Sequence, residues 1–546
     1  MGMYINRGAR AFMDYANGEY VDKTGMIGYV NTTINTPEKL ICVTRPRRFG
    51  KSAAAQMLYA YYDKSCDSRS LFERFEVAHD PTFEQHLNKY PSIVIDMTSF
   101  TTKFKGRVDI VDIMQKAIMK DVCKAYPDIE IEEYDDLMDV LLRITMATGE
   151  KFVMIIDEWD AICREAEDKP QLMDSYVNLL RRLFKNIDTP RVFALVYMTG
   201  ILPIKRYGTQ SALNDFREYS MTEPGPLAPY YGFTEDEVKA LCKKYSMDYE
   251  EMKGWYDGYS FGPDCPSVFN PNSVMTACNR KKFGNYWGKT SAFDSLQRYI
   301  DLNMTGVQEV LESILRGGRP RISILRFNFD LSSIGTDDEL FTLFIHLGYL
   351  TYDPEDMTVA IPNKEVGMEI VEALRGSKTH AKLAAMIKTS DRLMEATLAK
   401  DEQQVAAIVE QLHDSEAGPD YYNNEQALRS VLKIGYLSAI DYYVSIQELP
   451  SGKGRSSESH QACLDGRVVT ELDEVKGYAD LALTPRYGGR RPAVVVELKW
   501  NKPVTAAIDQ IHQRNYPEAV RRFTDNILLV GISYDEKTKQ HTCEII

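Results

Sequence analysis

One segment near the start of the chain has the residue types and spacing of a phosphate site. RPRRFGKS at 45–52 fits the GxxxxGK[ST] pattern at Gly50, Lys51 and Ser52, with Arg45 at the first glycine position. In this pattern, backbone N–H groups at a helix N-terminus surround phosphate oxygens. Lys51 would reach the β and γ phosphates of ATP, and Ser52 would coordinate Mg²⁺. The alternative is a basic helix start, because a bare GK[ST] tripeptide is common.

The loop before Lys51 adds residues to the predicted nucleotide site. We include Arg47, Arg48 and Phe49, with the two arginines as phosphate contacts; capping of an acidic surface is an equal alternative for them. An arginine finger is harder to choose. The sequence does not decide between Arg45, Arg47, Arg48, Arg181, Arg182 and Arg206.

A second acidic segment follows the pattern of a metal and water site beside ATP. VMIIDEWD ends an apolar run with Asp157 and Glu158, the position of a Walker B pair. Asp157 would hold Mg²⁺ through water, and Glu158 would polarise the attacking water. Thr199, at the end of FALVYMTG, would be a polar sensor on a neighbouring strand. The alternatives are a solvated acidic turn and a simple strand end.

Near the C-terminus, GYADLALTP and RPAVVVELKW carry a second set of acids with a lysine. The period of two in a strand places Glu497 and Lys499 on one face. Asp480 and Glu497 would bind Mg²⁺ with the Leu498 carbonyl, and Lys499 would position or activate the water. That is the chemistry of metal-dependent phosphodiester hydrolysis. Taken alone, E-x-K is more often an edge ion pair; the preceding Asp480 and the helix with Gln510 and Tyr516 favour the metal site.

Further residues around the C-terminal site have weaker signals. Glu425 would be another metal carboxylate or a plain surface residue. Phosphate contacts or an ordinary solvated hairpin are the two interpretations of Arg486, Arg490, Arg491 and Lys502. Residues 401–546 contain 16 Lys and Arg against 22 Asp and Glu. This acidic balance makes extensive wrapping of a duplex by this region improbable.

The elements that position these residues form an α/β pattern. Apolar runs at 40–46, 91–100, 151–160 and 191–200 alternate with helix-like stretches, which predicts a parallel sheet covered on both faces. We place a P-loop domain at 1–225 and a mainly helical middle region at 226–400. A smaller α/β domain follows at 401–546, and SEAGPDYYNNE near 415–425 is a candidate linker.

Composition limits the classes of protein. The 546 residues include 65 Lys and Arg against 79 Asp and Glu, a net charge of −14, which argues against coating nucleic acid by bulk charge. The nine cysteines are scattered and never spaced CxxC, so a disulfide framework or zinc module is not expected. No apolar run approaches the roughly 20 residues of a membrane span. We expect a soluble cytoplasmic protein.

These motifs recur in one known family. The chain resembles the bacterial family that joins an AAA-ATPase-like domain to a C-terminal PD-(D/E)XK nuclease-like domain, which has a restriction-endonuclease-like fold. The segments that carry the resemblance include TRPRRFGKS at 44–52, IIDEWDAI at 155–162, MTGILPIKR at 198–206, WYDGYSFG at 255–262, NYWGKTS at 285–291, KGYADLAL at 476–483 and VVVELKWNKPVTAAIDQIHQRNYPEA at 494–519.

The resemblance assigns roles to several residues. It implies that Arg45 is usual in the loop, that Asp480, Glu497 and Lys499 are the D…ExK core, and that Gln510 is the polar residue of the following helix. The chain departs from the pattern at Ala479, where the superfamily name has proline, and at Trp159, where the family has tyrosine.

The sequence thus predicts an enzyme that binds and hydrolyses ATP and cleaves nucleic acid with Mg²⁺. DNA is favoured over RNA as the partner, and the protein could form a homo-oligomer. The alternative is a nucleotide-switched interaction protein whose nuclease-like domain binds nucleic acid or a partner without cutting.

Overall fold

The chain divides into two compact units. The computed structural model describes residues 2–165, 169–204, 213–262, 267–288, 292–302, 306–325, 327, 334–416, 425–441, 443–450, 456–464, 467–472, 478–485, 491–521 and 524–546. The first unit comprises residues 1–241, 258–275 and 321–359, and the second comprises 242–257, 276–320 and 360–546. Both units include segments of the predicted middle region. The division at 225 and 400 therefore stays a prediction.

The first unit is built on a parallel sheet, as predicted. Its strands are β1 (Leu40–Thr44), β2 (Ser92–Asp96), β3 (Phe152–Asp157), β4 (Phe193–Gly200) and β5 (Arg217–Tyr219). They pair in the order β2-β3-β4-β1-β5, all parallel. β1, β3 and β4 are buried throughout, as expected of strands with helices on both faces. All carboxyl ends meet at one edge, where an open α/β sheet binds its ligands.

Helices surround this sheet along the first 230 residues. They are α1 (Arg10–Asn17), α2 (Gly25–Thr33), α3 (Lys51–Tyr62), α4 (Arg69–Phe72), α5 (Phe83–His86), α6 (Met97–Lys103), α7 (Ile110–Ala125), α8 (Leu137–Thr148), α9 (Ala161–Glu165), α10 (Pro170–Phe184) and α11 (Thr189–Val192), with 3₁₀ turns at Glu76–His79 and Gly225–Tyr230. The Ala-rich helix α3 packs on β3 and β4. The buried tyrosines of its last turn are part of the hydrophobic core of this unit. The loop before α3 is thereby fixed to the edge of the sheet.

The predicted helical character of the middle region is confirmed. Its helices are α12 (Glu235–Tyr245), α13 (Tyr249–Tyr256), α14 (Pro271–Arg280), α15 (Ala292–Ile300), α16 (Val307–Leu315), α17 (Asp337–Leu347), α18 (Lys364–Arg375) and α19 (Ala381–Leu398). A two-stranded sheet of β6 (Thr351–Asp353) and β7 (Thr358–Ala360) accompanies them. Helix α17 begins with a capping box, in which Thr336 and Glu339 satisfy each other's backbone N–H groups.

The C-terminal region is a mixed α/β arrangement, as predicted. Its elements are α20 (Glu402–Glu416), α21 (Glu425–Gly435), β8 (Tyr443–Pro450), β9 (Ser456–Leu464), β10 (Arg467–Leu472), β11 (Tyr478–Pro485), β12 (Ala493–Trp500), α22 (Thr505–Gln513), α23 (Tyr516–Arg521), β13 (Ile527–Asp535) and β14 (Gln540–Ile545), with a 3₁₀ turn at Leu437–Asp441. The main sheet has the order β14-β13-β12-β11-β8, in which only β12 and β13 are parallel neighbours.

Two further sequence predictions concern the candidate linker and membrane-spanning helices. Most of the candidate linker, residues 417–424, lies outside the described residues. Within the ranges that the structure describes, no helix is both long enough and apolar enough to cross a membrane.

Candidate functional sites

The loop between β1 and α3 contains residues in the left-handed region of backbone conformation. Gly50 has φ 88° and Arg48 has φ 70°, so two residues of this short loop lie in the left-handed region. No atom lies within 4 Å of where a Cβ on Gly50 would be. Glycine is therefore favoured at position 50 by the backbone angle and not by crowding.

The Lys51 side chain folds back over the loop. It is only 4% exposed, and its Nζ donates to the carbonyl oxygens of Arg45 at 3.1 Å and Pro46 at 3.0 Å. The same Nζ lies 3.5 Å from Glu158 Oε1. A phosphate group can replace these backbone acceptors, because a lysine ammonium is a compact point charge with three donors.

The ends of β1, β3 and β4 bring the predicted Mg²⁺ residues together. Thr199 Oγ1 on β4 donates to Asp157 Oδ1 at the end of β3, and it accepts the Glu158 backbone N–H at 3.3 Å. Ser52, in the first turn of α3, also hydrogen-bonds Asp157. Burial raises the pKa of Asp157, and the Thr199 and Ser52 hydrogen bonds oppose that rise. Ser52 and Thr199, both predicted site residues, thus hydrogen-bond the Asp157 carboxylate.

Glu158 is held by two cations. It has φ 54°, and its carboxylate pairs with Arg164 Nη2 at 2.7 Å as well as with Lys51. Burial raises the pKa of Glu158, but the charges of Lys51 and Arg164 outweigh it and bring this pKa to about 2. The carboxylate is therefore ionised at neutral pH and oriented by the helix that follows.

Sequence reasoning missed two residues of this site, Asp160 and Arg164. Asp160 is fully buried and accepts the backbone N–H groups of Ile201 at 3.3 Å and Leu202 at 3.2 Å, which join the turn after β3 to the end of β4. Arg164 Nη1 lies 3.1 Å from Asp160 Oδ2. The spacing of four between Asp160 and Arg164 was the available signal, because such pairs lie on one helix face.

Arg45 has a structural position that the phosphate pattern does not suggest. It is fully buried, and its Nη1 donates to the carbonyls of Thr44 and Tyr219, both at 2.9 Å. Its guanidinium lies 5.5 Å from the ring centroid of Tyr231 and 5.0 Å from that of Phe261. These contacts hold Arg45 inside the first unit, so it does not suit the role of an arginine finger.

The other predicted residues of the loop differ in burial, and the finger candidates Arg181 and Arg182 have partners on or near α10. Arg47 and Arg48 are exposed, whereas the Phe49 ring is buried edge-on against Tyr259, with centroids 4.9 Å apart. Arg182 on α10 pairs with Asp136 and Asp139, Arg181 donates to Asn178, and Arg206 lies outside the described residues.

The second site lies on β11 and β12. These strands are antiparallel with Leu481 opposite Val496, a register whose extension sets Asp480 opposite Glu497. Asp480 Oδ2 accepts the Leu498 backbone N–H at 2.7 Å. Lys499 Nζ lies 2.8 Å from both Glu497 Oε1 and the Leu498 carbonyl oxygen. The strands therefore bring together the three residues of the D…ExK pattern.

Two helices complete this site. Gln510 on α22 donates to Glu497 Oε1, and Arg429 Nε on α21 lies 2.6 Å from Asp480 Oδ1. The Tyr516 hydroxyl at the start of α23 has a pKa raised to about 12, by burial and then by the charge of Glu497. Arg429 was missed, because nothing in the sequence signals that α21 packs on β12 and brings Arg429 to Asp480.

The remaining residues predicted around this site are only partly described. Arg491 is half-buried and hydrogen-bonds Tyr443, and Lys502 is exposed. Arg486 and Arg490 lie outside the described residues, as does the side chain of Glu425.

The carboxylate oxygens at the second site suit a divalent cation that takes few ligands from the protein. Burial, and then the charge of Asp480, raise the pKa of Glu497 to about 7. Glu497 Oε2 is buried without a hydrogen-bond partner among the described residues. No group of three or more His, Cys, Asp or Glu side chains suited to a metal occurs in those residues. Two carboxylates with waters and substrate phosphates are a common Mg²⁺ environment.

Comparison with known proteins adds to this geometry. Residues 10–209 match the family model described as predicted AAA-ATPase, and residues 467–544 match that of the PD-(D/E)XK nuclease superfamily. No curated protein matches the chain.

Matches to solved structures include two Aeropyrum pernix proteins. They are ORC2 in ADPNP–ADP complexes, at 11% identity over 69% of this chain and 94% of that chain, and ORC1 in complex with DNA, at 10% identity over 70% and 99%. Their TM-scores of 0.22 and 0.25 are too low to bear on the function of this chain. The two family matches, with the sites that lie within them, show that the chain joins an AAA-ATPase-like domain to a C-terminal domain of the PD-(D/E)XK nuclease superfamily.

Proposed function

We propose that this protein binds and hydrolyses ATP and couples it to Mg²⁺-dependent cleavage of nucleic acid. In the ATPase half, Lys51 exchanges its loop carbonyls for the β and γ phosphates. Ser52 and Asp157 would hold Mg²⁺, with Thr199 fixing the Asp157 carboxylate. Glu158 orients the attacking water. Backbone N–H groups of the loop from Arg47 to Gly50 add phosphate contacts, in which Phe49 takes part through its backbone alone because its ring is buried.

The nuclease half is supported by one observation above the others. Asp480, Glu497 and Lys499 converge, and a buried Glu497 oxygen lacks a partner within the described residues. The two carboxylates would hold Mg²⁺, which stabilises negative charge on the phosphate as the phosphodiester is cleaved. Lys499 positions the water and Gln510 keeps the Glu497 carboxylate in place.

The remaining parts of the proposal concern setting and organisation. The substrate is DNA in preference to RNA, the protein acts in the cytoplasm and not at a membrane, and it can assemble with further copies of itself. The ATPase-like domain occupies residues 1–225, the helical region 226–400 and the nuclease-like domain 401–546.

A nuclease and ATPase assay on the purified full chain tests both halves. Single-stranded and duplex DNA and RNA are incubated with Mg²⁺, with and without ATP. Glu497→Gln should reduce cleavage by about 10²-fold or more and leave ATP hydrolysis unchanged. Lys51→Ala and Glu158→Gln should each reduce ATP hydrolysis. Glu518→Gln, a change at an exposed carboxylate of the same unit, is the matched control and should leave both rates unchanged.

Each half can fail separately. Cleavage that survives Glu497→Gln would remove the metal-site assignment. Equal ATPase rates in wild type, Lys51→Ala and Glu158→Gln would remove the nucleotide-site assignment.

One observation favours the second candidate, a nucleotide-switched interaction protein that does not cut. Both oxygens of Asp480 already accept internal donors, Leu498 N–H and Arg429. A carboxylate used in this way can serve structure alone. Nucleic-acid binding without cleavage in Mg²⁺, Mn²⁺ or Ca²⁺ would favour this candidate over the nuclease.

A further inference from the structure

The two carboxylates of the nuclease-like site have different counter-ions. Lys499 pairs with Glu497 and is itself buried and held by the Leu498 carbonyl. Arg429 pairs with Asp480 from another element, helix α21. Its side chain is 44% exposed, whereas that of Asp480 is 2% exposed. Arg429 therefore reaches a buried acid from the solvent side.

The charges of these four side chains balance when both acids are ionised and no metal is bound. Ionised Asp480 and Glu497 carry two negative charges, and Lys499 and Arg429 carry two positive charges. A divalent cation at Asp480 would add two positive charges beside the Arg429 guanidinium, which already uses Asp480 Oδ1. The two cations would repel each other across a buried carboxylate, where screening by water is weak.

An arginine displaced from Asp480 has a natural acceptor in the proposed substrate. Guanidinium groups bind phosphate oxygens through two parallel N–H bonds, and a nucleic-acid backbone supplies such phosphates. We propose that Arg429 competes with the divalent cation for Asp480 and transfers to a backbone phosphate, so that nucleic acid tightens metal binding. This inference rests on the proposed nuclease function and makes Arg429 a substrate-contacting residue.

Metal binding tests the exchange without relying on cleavage. Free Mn²⁺ is measured by electron paramagnetic resonance as the full chain is titrated in the absence of nucleotide. The binding that Glu497→Ala abolishes is assigned to this site. Without nucleic acid, Arg429→Gln should bind Mn²⁺ about tenfold more tightly than wild type. Arg429→Lys, which keeps the charge without the planar fork, should lie between them.

Coupling separates exchange from a simple change of charge. A phosphorothioate DNA duplex, which resists cleavage, should tighten Mn²⁺ binding to wild type about tenfold and to Arg429→Gln less than threefold. Coupling between two ligands is reciprocal, so Mn²⁺ should strengthen duplex binding by the same factors. Arg521→Ala is the matched control, because Arg521 is an exposed arginine of the same unit paired with Glu518.

The outcomes divide clearly. Tighter Mn²⁺ binding by Arg429→Gln with lost coupling supports the exchange. Equal Mn²⁺ affinity in wild type and Arg429→Gln, or coupling that persists in that variant, overturns it even if the protein is a nuclease. Absence of any Glu497-dependent Mn²⁺ binding in wild type, with or without the duplex, overturns the metal-dependent nuclease function itself.

Discussion

Arg164 should contribute far more to stability than an exposed arginine with the same number of partners. It bridges the fully buried Asp160 and the Glu158 carboxylate, at 3.1 and 2.7 Å. Arg164→Ala would leave both acids without this cation, although Glu158 would keep Lys51. Removing one partner of a buried ion pair costs about 3 kcal/mol or more. At roughly 2 °C per kcal/mol for a large domain, the melting temperature should fall by about 6 °C.

Arg182 is the matched control for this change. It also bridges two acids, Asp136 and Asp139 at 2.7 and 2.6 Å, but its side chain is 41% exposed. Exposed ion pairs contribute about 1 kcal/mol or less, so Arg182→Ala should lower the melting temperature by no more than about 2 °C. Differential scanning calorimetry of the full chain at pH 8 compares the two variants.

The pH dependence of the Arg164→Ala deficit gives a second readout. Burial raises the pKa of Asp160, and Arg164 opposes that rise in the wild type. In the variant the Asp160 pKa rises further, so this acid takes up a proton earlier as the pH falls and no longer needs a counter-ion. The deficit relative to wild type should therefore shrink toward acidic pH. Equal deficits for Arg164→Ala and Arg182→Ala, unchanged with pH, would refute the reasoning.

Three further predictions concern packing, protonation and the sensor position. Gly200→Ala should lower the melting temperature, because its Cβ would lie 2.5 Å from Trp159 Cδ1; unchanged melting would contradict the tight contact. His541 has a pKa lowered to about 4 by burial and by His413, whose Nδ1 lies 2.9 Å from its Nε2. Unfolded His541 takes up a proton near pH 6.5 and the folded residue does not, so about 3 kcal/mol of stability should be lost between pH 6.5 and 4. Urea titrations should show this loss, and His541→Gln should reduce it. Thr199→Val should weaken Mg²⁺–ATP binding about fivefold in a fluorescent-nucleotide titration, since one hydrogen bond contributes about 1 kcal/mol; equal affinity would remove Thr199 from the site.

Most strands that the sequence predicted are buried along their length. YADLALTP coincides with β11, and the apolar runs of the first unit contain β1, β2, β3 and β4. The strands it missed include β5, β8 and β14, which lie at the edges of their sheets. β5 spans three residues at the edge of its sheet, and β14, QHTCEI, has few apolar residues because it too is an edge strand. Hydrophobic pattern reports burial and not position in the sheet, so the edge strand β2, whose first four residues are buried, was still predicted.

A single sequence does not show which distant segments join one compact unit. Residues 258–275 and 321–359 join the first compact unit although they lie well beyond the predicted boundary at 225. The contacts that join the first of these segments include Phe261 on Arg45 and Tyr259 on Phe49. Such contacts join residues more than 200 positions apart, and a single sequence carries no local signal for them.

The difference between local sequence pattern and tertiary packing also explains which residues of the two sites could be predicted. Acids and lysines at strand ends are visible in sequence, because parallel strands share a carboxyl edge and paired strands fix their register. Arg164 and Arg429 come from helices whose rotation is set by tertiary packing. Yet each of them neutralises an acid of its site, at 2.7 Å from Glu158 and 2.6 Å from Asp480. A carboxylate that must later serve Mg²⁺ or a water needs a counter-ion when neither ligand is bound, since an unpaired buried charge is costly. Arg164 and Arg429 meet this need, and in the exchange proposed for Arg429 its release would contribute to the free energy of metal binding at Asp480.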